Sequence, residues 1–445
     1  MYYIHRGGGK MSSIGYIIKQ ERLNQKIKQS VLAKGICSTS YLSKIENNST
    51  VPSEEVITFL LKRLNLEIDK LSNEEENKFI DAFSELYKLA IIQRDKKWIR
   101  ATLDEFSTRK TYFLQLKNYH TYNLYMFRLR LILNEKIDIL QSAYEVIIKT
   151  EESFDEKQRF LANLNIGLYF YLNGDYYKSL CRLEKSLKFV HNITNEEWEM
   201  ADYYNVLSLI YFKCNEFFNT INYASKSLKY YKDNLLFERA IDSYIVIGAA
   251  HKKMRRYEEA EKNYNLAKKL VIDYKVVDYE GMIYQNIGSL HAIQESHDKA
   301  IEYYKLSLKS KEKNFNAEGY LITILSIIKE YSKQTNHVEV LKWCKKGLEA
   351  IEDIKNKYNT ECHSFYCHFE IYRAFHSSTD ELEVVLKKGI SHFEMVHDNR
   401  HVQKYSILLA DYYFKQSKFK AANLYYQKSI QVLFKQNFIT KWEDL

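Results

Sequence analysis

Only one proline, Pro52, and 13 glycines interrupt this 445-residue chain. With so few breakers, and with Leu, Lys, Glu, Ile and Tyr abundant, long helices joined by short polar turns are expected, and the fold class is all-α. Long apolar runs are missing as well: LITILSII, starting at Leu321, falls far short of the roughly 20 residues that span a bilayer. The first residues, MYYIHRGGGKM, contain no apolar stretch of a secretory leader. Six scattered cysteines without a spacing pattern read as reduced thiols, which points to the cytoplasm. The charge excess of +9 is too small to name a partner by itself. Hydrophobic residues make up 46% of the chain, enough for a substantial core. Because Arg6-Gly7-Gly8-Gly9-Lys10 is what a purine-rich ribosome-binding site would encode, Met11 reads as the natural start, with residues 1–10 expected to be disordered.

The lone proline follows a short polar segment, GICSTSYLSKIENNSTVPS. Around it, apolar residues recur at helical spacing: Ile14, Ile17, Ile18 and Leu23, then Val31 and Leu32, then Leu42 and Ile45, then Val56, Phe59, Leu60 and Leu64. Four or five short helices around one small core result. Ser38 is expected to cap the third helix, and Ser53 the next one, with Glu54 and Glu55 in its first turn. Pro52 stops the third helix, so that its outward residues Thr39, Ser40, Tyr41 and Lys44 stay on a short, accessible face.

The rest of the chain repeats itself. Gly167, Ser208, Gly248, Gly288 and Ile328 are separated by 41, 40, 40 and 40 residues. Two further columns of mostly small residues keep the same period, Ser179, Thr220, Ala260, Ala300 and Val340, and Ser186, Ser227, Ala267, Ser307 and Gly347. Each unit is a helix, a polar turn and a second helix, with small residues where paired helices approach closely. Residues 75–107 and 112–150 read as two more divergent hairpins, and 360–396 fits the register poorly. About nine hairpins result. First helices line the concave wall of such an array, and a wall of this kind suits an extended peptide. Asn165, Asn205 and Asn286, with Asp202, Asp242 and Gln285 nearby, are candidate contacts because an amide offers both donor and acceptor to a peptide bond. The alternative is that these asparagines cap turns or tie neighbouring helices. Arg128 is a candidate for a peptide carboxylate, against the alternative of a solvated surface arginine.

The N-terminal residues resemble the lambda-repressor-like (XRE) helix-turn-helix family: Arg22, Gln29, Leu32-Ala33, the turn at Gly35 to Cys37, and Ser43-Lys44-Ile45-Glu46-Asn47. That resemblance implies a buried Arg22–Glu46 pair, a phosphate contact from Gln29, Thr39 near phosphate, and Ser40, Tyr41 and Lys44 at base edges in the major groove. Net charge over 11–72 is only +3, so one head would hold a half-site weakly and a homodimer or higher oligomer is expected. The later repeats resemble the tetratricopeptide repeat, which implies a right-handed superhelix. Together the two parts resemble the RRNPP quorum-sensing regulators, in particular the branches of NprR and PlcR. The resemblance implies a cytoplasmic transcription factor of residues 11–72 (DNA-binding) and 73–445 (peptide-binding), whose partners are double-stranded operator DNA and a short, re-imported signalling peptide. It also implies an alternative, a protein of the Rap type that binds and inhibits a sporulation phosphorelay response regulator until peptide relieves it.

No enzymatic constellation emerges, and no cofactor is expected. Gly7-Gly8-Gly9-Lys10 lacks the upstream glycine, the Ser/Thr and the strand of a phosphate-binding loop. Cys362-His363 and Cys367-His368 are metal-ligand types, but residues five apart on a helix lie about 140° apart, so the four cannot converge and no metal site is expected.

Overall fold

The computed structural model describes residues 14–47, 49–65, 73–108, 116–190, 196–313, 316–358, 362–377 and 381–436. The expectations for residues 1–10, for the start at Met11 and for the boundary at 72 lie outside them. Among the described residues there are 22 α-helices and no strand. No helix there is long and apolar enough to cross a membrane.

The first four helices are α1 (Ile14–Asn24), α2 (Gln29–Ala33), α3 (Thr39–Glu46) and α4 (Glu54–Arg63). Ile18, Leu32, Leu42, Ile45, Leu60 and Leu61 form their common core. The Tyr41 N–H donates to Ser38 Oγ at 3.1 Å, and the Val56 N–H to Ser53 Oγ at 3.4 Å. Each cap satisfies a backbone donor that a helix start leaves open. Between α2 and α3, Gly35 sits at φ 75°, a left-handed conformation that makes the tight turn at little steric cost.

Eighteen helices follow among the described residues: the hairpins of α5 (Asn73–Gln93) and α6 (Lys96–Thr108), α7 (Leu116–Leu133) and α8 (Ile137–Thr150), α9 (Glu156–Leu172) and α10 (Tyr176–Val190), and α11 (Glu197–Lys213) and α12 (Phe217–Asp233); then α13 (Phe237–Lys253) and α14 (Tyr257–Tyr274); then the hairpins of α15 (Glu280–Ile293) and α16 (His297–Lys313), α17 (Ala317–Lys333) and α18 (His337–Tyr358), α19 (His363–His376) and α20 (Leu382–Met395), and α21 (Asn399–Lys415) and α22 (Phe419–Gln436). The fold is a helix-turn-helix followed by a helical repeat array. It divides into two compact units, 1–250 and 251–445, so the helix-turn-helix packs with the first hairpins.

The periodic small residues explain the stacking. Ser179, Thr220, Ser186 and Ser227 in the first unit, and Ala260, Ala300, Ala267 and Ser307 in the second, are fully buried. Ser179 Oγ donates to the Gly167 carbonyl at 2.6 Å, and Ser307 Oγ to the Gly281 carbonyl at 2.6 Å. A Cβ at Gly288 would come within 2.8 Å of the Tyr304 ring, so that helix pair could not close with a larger residue. Turns repeat too: Gly174, Asn215, Arg255, Glu295 and Thr335 all have φ between 53° and 79°. Four of the five are not glycine, which is how a chain with so little glycine still turns tightly. The poorly fitting unit departs visibly, since α19 and α20 have 14 residues each where the helices of the two flanking hairpins have 17 to 22.

Tyrosine fills the interfaces. Tyr87 stacks on Tyr125 at 4.0 Å, Tyr144 on Tyr169 at 4.7 Å and Tyr211 on Tyr223 at 5.5 Å. These rings bury large areas between helices in the arrangement aromatic pairs prefer.

Candidate functional site

Two constellations stand out in the first unit. In the helix-turn-helix, Glu46 is fully buried and Arg22 nearly so. Arg22 Nε donates to Glu46 Oε1 at 2.6 Å and Nη2 to Oε2 at 2.8 Å, while Nη1 reaches the Ile27 carbonyl at 3.0 Å. This two-pronged pair ties α1 to α3 and fixes how α3 is presented. Gln29 belongs to the same knot: its Nε2 donates to Glu46 Oε2 at 2.7 Å. One of its amide N–H groups is thereby used inside the domain, while the second N–H and the carbonyl oxygen remain for a phosphate contact of the kind the sequence suggests. Tyr41 differs from Thr39, Ser40 and Lys44, because it is partly buried and packs against the core that contains Leu42. Thr39, Ser40 and Lys44 are exposed on the outer face of α3.

The second constellation is a buried cluster of charge contributed by the first helices α7, α11 and α13 and by the residue just after α5. Asp202, on α11, is 4% exposed and receives Arg128 Nη2 of α7 at 2.5 Å. Arg94, just after α5, and Arg239, on α13, each approach Asp202 Oδ1 at 3.4 Å. Arg239 also donates to the Tyr231 hydroxyl at 2.9 Å and lies 3.7 Å from Asp242. Burial pushes the Tyr231 hydroxyl up to about 12, so it stays neutral and acts as a dipole. Three guanidiniums thus share one buried carboxylate, with Asp242 partly exposed at the side. Buried N–H groups remain without acceptors on Arg94 Nε, Arg128 Nε and Nη1, and Arg239 Nε and Nη1. A buried donor without a partner costs about 1–3 kcal/mol, so five in one place describe a site short of acceptors and of negative charge. Arg94, with a third of its side chain exposed, and Asp242 form its open side.

The asparagines do not form a uniform wall. Asn165 is fully buried and its amide donates to the Leu124 carbonyl at 2.8 Å, tying α9 to α7. It is a tie between helices, the alternative that the sequence left open beside a peptide contact. Asn205 is buried one turn beyond Asp202 on α11. In the second unit, Gln285 is occupied at both ends, donating to Ser326 at 2.9 Å and accepting from Thr323 at 2.9 Å. Asn286 donates to the Met282 carbonyl of its own helix at 3.0 Å.

A physical connection joins the two constellations. Ile17 of α1 packs with Tyr119 of α7, alongside Phe79, Ile80 and Tyr122. The Tyr119 hydroxyl donates to Glu21 at 2.6 Å, next to Arg22. Tyr119 and Arg128 lie on one helix, nine residues or about 13 Å apart along its axis. Sequence reasoning missed Arg94, Arg239 and Tyr119, because their partners lie 108, 37 and 98 residues away.

Comparison with known proteins fits this geometry. Residues 18–71 match the Helix-turn-helix family. The transcriptional activator NprA of Geobacillus stearothermophilus is 28% identical over 418 residues, covering 90% of this chain and 98% of NprA. Response regulator aspartate phosphatase I of Bacillus subtilis is 24% identical over 328 residues, 70% of this chain and 79% of that one. Among solved structures, the apo form of the quorum sensor NprR from B. thuringiensis aligns with TM-score 0.64 and 18% identity, covering 80% of this chain and 99% of that chain. NprR in complex with its cognate peptide NprX aligns with TM-score 0.54 and 18% identity, over 82% and 99%. The array therefore shares the helical-repeat fold of the NprR structures.

Proposed function

We propose that this chain, a helix-turn-helix joined to a tetratricopeptide-like array, is an RRNPP-type regulator that works as a peptide-controlled transcription factor in the cytoplasm. The observation that carries this reading is α3, held by the Arg22–Glu46 pair and offering Thr39, Ser40 and Lys44 to solvent. Ser40 and Lys44 lie on one helical face and reach base edges in the major groove, while Thr39, at the helix start, serves a phosphate. One such head binds weakly, so two act together on a two-part operator.

The effector is a short linear peptide bearing a carboxylate. Its negative charge enters the cluster of Arg94, Arg128 and Arg239 and supplies the missing acceptors. Binding there draws on Arg128 and so on α7, whose other end holds Glu21 through Tyr119. The peptide's preference for one position of α7 becomes a preference for one position of the head.

A second reading has support in the similarity to the aspartate phosphatase: the array binds a response regulator and the head is idle. Replacing Ser40 and Lys44 together by alanine separates the two. Each lost base contact is worth about 1–3 kcal/mol, so operator affinity measured by fluorescence anisotropy should fall by roughly thirtyfold or more. A regulator-antagonist would keep its full cellular effect in that variant, and this outcome would refute the transcription-factor reading.

A further inference from the structure

The hairpin that breaks the repeat carries a cluster outside the sites above. His363 and Cys367 lie four residues apart on α19, on one face, and His392 of α20 meets them. One ligand atom from each lies within 4.8 Å of the others. The imidazoles of His363 and His392 stand edge to face, with centroids 4.6 Å apart. Cys367 is 7% and His392 9% exposed, whereas His363 faces solvent. The His392 Nε2 is 2.9 Å from Ser364 Oγ, and its Nδ1 is buried with no partner at all.

We propose that His363, Cys367 and His392 bind a single zinc-class divalent cation. The donor set is two imidazoles and a thiolate, the types zinc selects. Ligand atoms around a tetrahedral zinc lie roughly 3.3–3.6 Å apart, so side-chain rotations of about 1 Å close the site. With the Nε2 proton of His392 donated to Ser364, the Nδ1 lone pair is left free for the metal, the usual arrangement in which the second nitrogen's hydrogen bond selects the ligating one. Coordination releases the Cys367 thiol proton to solvent, and no electrons move. The fourth position opens toward a cavity of about 1000 Å³, lined also by Glu318, Cys362 and Met395, where water or a fourth donor is accommodated.

The cluster also accounts for its position in the array. The α19–α20 hairpin is built from short helices, and a metal bridging the two would fasten them where the repeat register is lost. Sequence spacing alone concealed this, because it sets His363 and Cys367 against Cys362 and His368, and the third ligand comes from the next helix. His368 is engaged elsewhere, with its Nδ1 2.5 Å from the Tyr405 hydroxyl.

The test is titration of chelator-treated full-length protein with cobalt(II), read by absorption. Saturation at one equivalent, with visible bands of tetrahedral intensity and a thiolate charge-transfer band, is expected. Cys367→Ser should abolish the charge-transfer band, and His363→Ala, a change at an exposed position that leaves folding intact, should weaken binding at least tenfold. Cys214→Ser should change nothing. Zinc should raise the melting temperature of the wild type and not of His363→Ala. Spectra without the charge-transfer band, or equal binding in His363→Ala, would overturn the assignment.

Discussion

Replacing Asp202 by alanine is expected to destabilise the first unit by about 3–5 kcal/mol, the cost of stripping the partner from a buried ion pair. Arg128 is 1% and Arg239 3% exposed, so neither can turn to water for compensation. Without Asp202 the three guanidiniums also repel one another, and only the partly exposed Asp242 remains to balance them. Urea unfolding followed by circular dichroism would register this as a lower midpoint. The double variant Asp202→Leu, Arg128→Met removes the closest pair together and should recover only part of the loss, because an apolar pair replaces that desolvated charge pair at little net cost while Arg94 and Arg239 still lack their shared carboxylate. A single variant as stable as the wild type would mean that Asp202 is not the counter-ion described.

An effect of similar size is expected at Glu46. Its carboxylate accepts from Arg22 twice and from Gln29 once, with no exposure to water. Glu46→Ala leaves the Arg22 charge and the Gln29 amide unpaired, again at about 3–5 kcal/mol. A domain of some 50 residues holds only about 3–8 kcal/mol of stability, so the head should unfold or become molten. DNA affinity should fall more than a hundredfold while the main helical melt of the array persists. Glu46→Gln keeps an acceptor for Arg22 without the charge and should fall between the two. Unchanged DNA affinity in Glu46→Ala would show that α3 is positioned by other means.

These two residues illustrate what sequence alone makes legible. The periodic columns at Ser179, Ala260 and Ala300 were readable because close helix packing tolerates only small residues at fixed intervals, and their full burial follows. Ser38 and Ser53 were readable as caps because helix starts demand an acceptor there. The Arg22–Glu46 pair came through family resemblance. Spacing could not show which face of a first helix is sealed, so it left open whether Asn165 meets a peptide or ties helices, and the bond to Leu124 is visible only in the fold. Nor could it show convergence: Arg94, Arg128 and Arg239 meet at Asp202 only because the fold brings the end of α5 together with α7, α11 and α13. Long-range charge sharing leaves no local pattern in a sequence, and the same holds for His392 beside Cys367.

The central claim is that a peptide carboxylate at the arginine cluster controls the head through α7. The most direct measurement is operator occupancy in cells by chromatin capture, before and after adding the short-peptide fraction of the producing culture, in the wild type and in Arg128→Met. The account predicts discrete occupied sites whose occupancy changes with peptide in the wild type and stays at its basal level in Arg128→Met. Absence of discrete sites under either condition, or an undiminished peptide response in Arg128→Met, would contradict it.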